Sequence, residues 1–258
     1  MLSALKNWRR KRILARHPID EASWRGVIAE LSVLHGLEAG EMARLRELVV
    51  LFIDEKTFTA AGDLVLSETI CLSIAAQACL PILNLGLEYY SGWSEIIVYP
   101  DEFVRPFEER DEAGVVHVSR HPLAGESWLR GPLILSWRNV QQHEESRGVN
   151  VVIHEFAHKL DMLNGAANGY PPLHRDMSRD QWAKVFADAY QDFCRRVDRH
   201  YTVIDPYAAE SPAEFFAVLS EVFFQRPMHL KRCYPEVYEQ LTAFYRQDPM
   251  LRLHDAYA

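Results

Sequence analysis

Residues 149–165, Val-Asn-Val-Val-Ile-His-Glu-Phe-Ala-His-Lys-Leu-Asp-Met-Leu-Asn-Gly, set two histidines and a glutamate inside an apolar run, in the pattern His154-Glu155-x-x-His158. No other stretch constrains the chain as strongly. Val149, Val151, Val152, Ile153, Phe156, Ala157, Leu160 and Leu163 cover most of the circumference of a helix, so the segment reads as a buried helix packed on nearly every side. Polar groups taken into such a place need partners, and a metal ion supplies them. The i, i+4 spacing puts both imidazoles on one helix face, about 5–6 Å apart at Cβ, where two nitrogens can share one tetrahedral ion. Glu155, one position round, can hold a water beside such an ion and take its proton.

The rest of the chain has ordinary globular composition. It has 258 residues, enough for one large core or two small ones, with 48% apolar and 25% charged residues. A net charge of −8 argues against a nucleic-acid binder, which normally carries a basic face. The one basic cluster, Lys6, Arg9, Arg10, Lys11, Arg12 and Arg16, reads as a solvated first helix in preference to a membrane or partner contact. Cys71, Cys79, Cys194 and Cys233 are scattered and form no C-x-x-C pair, as expected of unpaired thiols in a reducing compartment. The basic start is not followed by the apolar core of a secretory signal. The longest apolar stretch, Ile70 to Leu85, is shorter than a membrane span and is interrupted by Gln77, Pro81 and Asn84. The expectation is a soluble cytoplasmic protein that contacts neither membrane nor nucleic acid.

Helical periodicity covers 2–16, 20–35, 41–55 and 67–80, with Asp20 as an N-cap and Gly36 and Gly40 bracketing a turn. The pattern changes near Trp93. Ile96 to Tyr99, Val115 to Val118 and Leu133 to Trp137 read as three short strands, and the acidic 101–130 stretch reads as irregular loops at the mouth of a cleft. Helices return at 180–198, at 211–224, where Ser211 is the N-cap and Pro212 the first helical residue, and at 235–246. Without repeats or Gly/Ser-rich linkers, residues 1–258 read as a single domain: a helical part over 1–90, a small sheet over 95–138, and a helical part over 148–250 carrying the metal site.

A hydrolytic zinc site needs a third protein ligand. The extended form of the motif with a further histidine is excluded, because Asp161 and Asn164 stand where Gly and His are required. The remaining choice is a carboxylate on a later helix. Glu214 and Glu221 are seven apart, hence on one face of the 211–224 helix, among Phe215, Phe216, Phe223 and Phe224. Each has an alternative use: Glu214 as the reciprocal partner of Ser211 in a capping box, Glu221 as partner of Arg226 or of a histidine behind the metal. Asp161 shares the histidine face and is open to two readings, orienting an imidazole or ending a helix at the surface.

The combination His154-Glu155-Phe156-Ala157-His158-Lys159-Leu160-Asp161, Tyr207-Ala208-Ala209 and Pro212-Ala213-Glu214-Phe215-Phe216-Ala217-Val218-Leu219-Ser220-Glu221 resembles the Mlc titration factor A family of bacterial zinc peptidases. Gly131 to Trp137 and Phe244 to Pro249 fit it too, so the resemblance spans most of 95–250. Around its metal that family is similar to the catalytic domain of anthrax lethal factor. The resemblance implies an α+β, zincin-like metallopeptidase domain, mainly helical with a small mixed sheet. It also implies one zinc ion held by His154, His158 and Glu214, Glu155 as general base, and Tyr207 as the hydroxyl that stabilises the oxyanion. Further implications are aminopeptidase-type activity on short peptides and binding of a sugar-uptake repressor of the Mlc type. The competing reading is a non-catalytic protein that sequesters a transcription factor and keeps a structural zinc. Leu133 to Trp137 is expected to be the exposed edge strand to which a peptide adds.

Overall fold

The computed structural model describes residues 2–110, 116–123, 125–127, 131–142 and 148–255. The first half builds four helices, α1 (Leu2–Arg16), α2 (Glu21–Glu30), α3 (Ala39–Glu55) and α4 (Glu68–Cys79). Their starts follow the local chemistry: Asp20 accepts the N–H of Ser23, and Ser67 accepts that of Ile70. The turn expected between Gly36 and Gly40 is shorter than expected, because Gly40 already belongs to α3, whose first turn is closed by Glu38 and Glu41 in a capping box.

A four-stranded sheet follows, built from β1 (Thr57–Ala60), β2 (Glu95–Tyr99), β5 (Gly125–Ser127) and β6 (Leu133–Ser136) in the order β1-β2-β6-β5. β1 and β2 run parallel with Phe58 opposite Ile96, β2 and β6 run parallel with Ile97 opposite Ile134, and β5 returns antiparallel with Gly125 opposite Leu135. The small mixed sheet is as expected, but two details differ. Leu133 to Ser136 is not an edge strand: it is paired on both sides, Leu133 and Leu135 are fully buried, and Trp137 begins the short helix α5 (Trp137–Gln141). The edge beside it is β5. Nor is the 101–130 stretch irregular throughout, since β3 (Phe103–Arg110) and β4 (Val116–Leu123) pair antiparallel as a separate two-stranded ribbon. Charged residues at strand positions masked the alternation there.

The second half carries α6 (Val151–Asp161), α7 (Arg179–Asp198), α8 (Pro212–Gln225), α9 (Pro227–Cys233), α10 (Pro235–Tyr245) and α11 (Pro249–Asp255). α6 lies at the centre, packed against α8, α4 and β5. Phe156 on α6 meets the rings of Phe52, Tyr90 and Trp93 at centroid distances of 5.7, 4.9 and 5.8 Å. On α8, Phe215 and Phe216 interlock with Phe186, and Trp182 stacks on Phe186 at 4.2 Å. Each such ring contributes about 1.5–3 kcal/mol by leaving water, which anchors α6 on the first half of the chain and α8 on α7. The four cysteines are free, Cys79 fully buried and the others partly so. Among the described residues no helix is long and apolar enough to cross a membrane.

Candidate metal centre

The α6 helix starts at Asn150, whose side-chain oxygen accepts the N–H of Ile153 at 2.9 Å while its amide donates to Gln77 on α4 at 2.8 Å. This buried cap sets the rotation of the helix, and with it the direction of the two histidines. His154 Nε2 and His158 Nε2 lie 3.2 Å apart. Glu214, on the first turn of α8, brings Oε2 to 3.0 Å from His154 Nε2 and 3.2 Å from His158 Nε2. Three ligands of a tetrahedral ion with bonds of about 2.0–2.1 Å stand about 3.3–3.4 Å apart, so these donors fit one zinc-sized ion with a small outward adjustment.

Glu221 takes the other place. Two turns further along α8, its Oε1 sits 2.7 Å from His154 Nδ1, and its Oε2 accepts the backbone N–H of Asn150. It therefore holds the far side of the His154 ring and leaves Nε2 for an ion, the usual arrangement behind a metal-ligating histidine. Ser211 caps α8 by accepting the N–H of Glu214 at 3.2 Å, while the Glu214 carboxylate turns to the histidines. Asp161 does not orient an imidazole. It is fully buried and accepts three backbone N–H groups, from Asn168 and Gly169 at 2.7 Å and Tyr170 at 2.9 Å. The loop it gathers presses on the start of α8. Gly169 has φ 77°, and a Cβ there would meet the Pro212 carbonyl oxygen at 2.4 Å, so only glycine allows this approach.

The electrostatics of the cluster are those of a tightly coupled group. Burial opposes a charge on His154, yet hydrogen bonds to Glu214 and Glu221 outweigh it and hold the imidazole well above its ordinary value. Burial likewise opposes the charge on Glu214, but His154 and His158 hold its carboxyl down at about 2. Glu221 is raised by burial, against the opposing effect of His154. Tyr207 lies on a single 3-10 turn, Pro206–Ala209, whose first N–H groups are capped by Asp205, which accepts from Tyr207 N at 2.9 Å. Its ring is 6.1 Å from that of His154 and 49% exposed. Burial of the hydroxyl, then Glu214 and Glu155, push its pKa up, so it stays protonated and can donate.

A scan against protein-family models matches residues 5–246 to the glucose-regulated metallo-peptidase M90 family. The chain belongs to that family. It is 40% identical over 233 residues to the Mlc titration factor A of Salmonella arizonae, which covers 89% of this chain and 92% of that protein. The Mlc titration factor A of an Enterobacter species is 38% identical over 241 residues, covering 92% of this chain and 89% of the relative. M90 membership agrees with the α+β, mainly helical metallopeptidase domain described above. The match runs across the first 60 residues, where the sequence pattern carries little specific signal.

Against this M90 frame, the five residues singled out from sequence gather in one place: His154, His158 and Glu214 form the donor triangle, and Tyr207 flanks it. Glu155, 4% exposed, faces the sheet, where Gly125 of β5 lies so close that a Cβ there would come within 2.6 Å of Glu155 Cγ and Oε1. Sequence reasoning missed Gly125, because a three-residue strand flanked by polar residues carries no periodic signal. One turn beyond Glu155, Lys159 is buried over the Trp93 ring at 4.6 Å and donates to Gly131 O at 3.1 Å. Burial lowers it to about 8 while Glu155 works the other way. Lys56 meets the same ring at 4.3 Å.

Proposed function

We propose that this M90 protein is a zinc-dependent peptidase of the aminopeptidase type acting on short peptides. The observation that carries the reading is the convergence of two imidazoles and a carboxylate at 3.0–3.2 Å, with a buried glutamate beside them and a protonated phenol whose ring lies 6.1 Å from that of His154. A zinc ion held by His154, His158 and Glu214 would supply Lewis-acid polarisation of the scissile carbonyl and acidify the attacking water. Glu155 takes the proton of that water at its carboxylate and passes it to the leaving amine. Tyr207 donates its hydroxyl to the oxygen on which negative charge develops. Glu221 keeps His154 in the required tautomer and orientation through Nδ1. The free edge of β5, beside Glu155, is where an extended peptide backbone would align, replacing Leu133 to Trp137 in that role.

The relatives carry the name Mlc titration factor A, and this supports a second role, binding a transcriptional repressor of the Mlc type in the cytoplasm. A sequestering protein with only a structural zinc would use the same donors but would not need Glu155 or Tyr207. Glu155→Gln separates the readings. Hydrolysis of aminoacyl anilides should fall by at least about 10²-fold, the usual weight of a general base, while zinc content measured by elemental analysis stays at one per chain. Activity that survives this change would sink the peptidase reading. Zinc lost in Glu214→Ala but kept in Glu221→Ala is the expected ligand assignment, and the reverse result would overturn it.

A further inference from the structure

Away from the donor triangle lies a cavity of about 360 Å³, walled by α7, residues 200–204, α9 and Tyr234. Its size is that of a small-molecule site. The floor is apolar and rigid: Phe193, Ile204 and Tyr234 are all buried. Its permanent charges are of one sign. Arg196 and Arg232 line it beside the imidazoles of His200 and His229, and among the described residues no carboxylate does, in a chain whose net charge is −8.

These groups are held in place. Arg196 Nε donates to Asp192 at 2.6 Å with its guanidinium over the Tyr234 ring, and the Tyr234 hydroxyl donates to the same carboxylate at 3.2 Å. Asp192 thus offsets one charge from outside the cavity wall. Arg232 has no ion pair among the described residues, so its charge remains for a ligand. His229 approaches Cys233 Sγ at 3.6 Å. At the bend, His200 adopts φ 54°, a left-handed conformation that costs a non-glycine residue and is held by Tyr201 N donating to Arg196 O at 2.8 Å.

The loop connects this cavity to the metal centre. Ile204 lines it, and the next residue, Asp205, caps the Tyr207 turn. A narrow cleft containing Val203, Ile204, Asp205 and His229 continues inward to Glu221, which holds His154.

We propose that this cavity binds a small organic anion, a carboxylate or phosphate monoester on an aromatic or apolar body, and that its occupant shifts the Tyr207 turn through the 203–205 segment. The charged head meets Arg232 and Arg196, whose planar donors match either anion, and the body covers Phe193 and Ile204. Any consequence for turnover rests on the proposed peptidase function; the binding and the coupling do not.

The test is calorimetric titration of the intact protein with phenyl phosphate and with benzoate, using phenol as the uncharged control, in wild type and Arg232→Gln. Arg232 is exposed, so the variant should fold. At least one anion should bind wild type about tenfold or more tightly than phenol, and Arg232→Gln should remove most of that advantage while leaving phenol unchanged. Which anion binds distinguishes phosphate from carboxylate. Absence of binding of both at millimolar concentration, or equal binding to the two proteins, overturns the site. Coupling is read in protein labelled with 3-fluorotyrosine, the position-207 resonance being assigned by its loss in Tyr207→Phe. That resonance should move on saturation with the bound probe, and a stationary one overturns the coupling.

Discussion

Replacing Gly125 by Ala probes the position of Glu155, the proposed general base, without touching a proposed metal donor. A Cβ at 125 would stand 2.6 Å from both Cγ and Oε1 of Glu155 and 2.8 Å from Cδ. Ordinary carbon contacts begin near ~3.5 Å, so either the strand or the carboxylate must retreat by roughly 0.9 Å. β5 is held by its antiparallel ladder to β6, whereas the Glu155 carboxylate is the end of a side chain, so the side chain gives way. The stability cost is then small, about 1 kcal/mol, near the low end for overpacking. The catalytic cost is larger, because a displacement of about 1 Å in a proton-transferring group lowers turnover by about 10²-fold. The assay is steady-state hydrolysis of an aminoacyl anilide, with zinc content and melting temperature measured on the same sample. A fall in kcat with zinc and fold retained is the expected result. Wild-type kcat in a folded, zinc-replete Gly125→Ala protein would refute the reasoning that β5 fixes the base.

Asn150→Ala removes the α6 cap and the partner of the Gln77 amide, a loss of about 2–3 kcal/mol, which for a chain of this size lowers the melting temperature by roughly 4–10 °C in calorimetry. Glu221→Gln keeps the shape but removes the charge behind His154, so zinc affinity measured by competition with a chelator should weaken by about 10–100-fold. In chelator-treated protein, the lowered carboxyl of Glu214 contributes stability that is present above its ordinary value of 4.5 and is lost as pH falls through that value toward about 2. The raised imidazole of His154 contributes the opposite limb, complete below 6.5 and lost as pH rises through its elevated folded value. Urea unfolding of the metal-free protein should therefore show highest stability between these limits, and a curve rising steadily from pH 3 to pH 9 would contradict the ion-pair geometry.

What the sequence made legible was local. The apolar circumference around His154, Glu155 and His158 and the Ser211-Pro212 start of α8 follow from helical period and cap chemistry, and both stand where expected. Seven-residue spacing put Glu214 and Glu221 on one face, but which faces the histidines' Nε2 atoms and which backs His154 depends on how α8 crosses α6, a contact between distant segments. The sheet was least legible. Thr57 to Ala60 is too short to carry a strand period, and the pairing of β6 on both sides is a non-local fact that no window of sequence contains. Asp161 illustrates the same limit, because its partners are backbone N–H groups seven to nine residues on, which no side-chain pattern records.

The contact of Asn150 with both Gln77 and Glu221 bears on the order in which the protein is made. Gln77 precedes it by 73 residues and Glu221 follows it by 71, so the motif helix acquires its lasting orientation only after both flanking segments have been synthesised and docked. Until α8 arrives, a nascent chain offers an ion two imidazoles and no carboxylate from Glu214, too few donors for tight capture. On this geometry a metal held by the three proposed donors would be taken up only at the end of folding, and would mark a finished molecule.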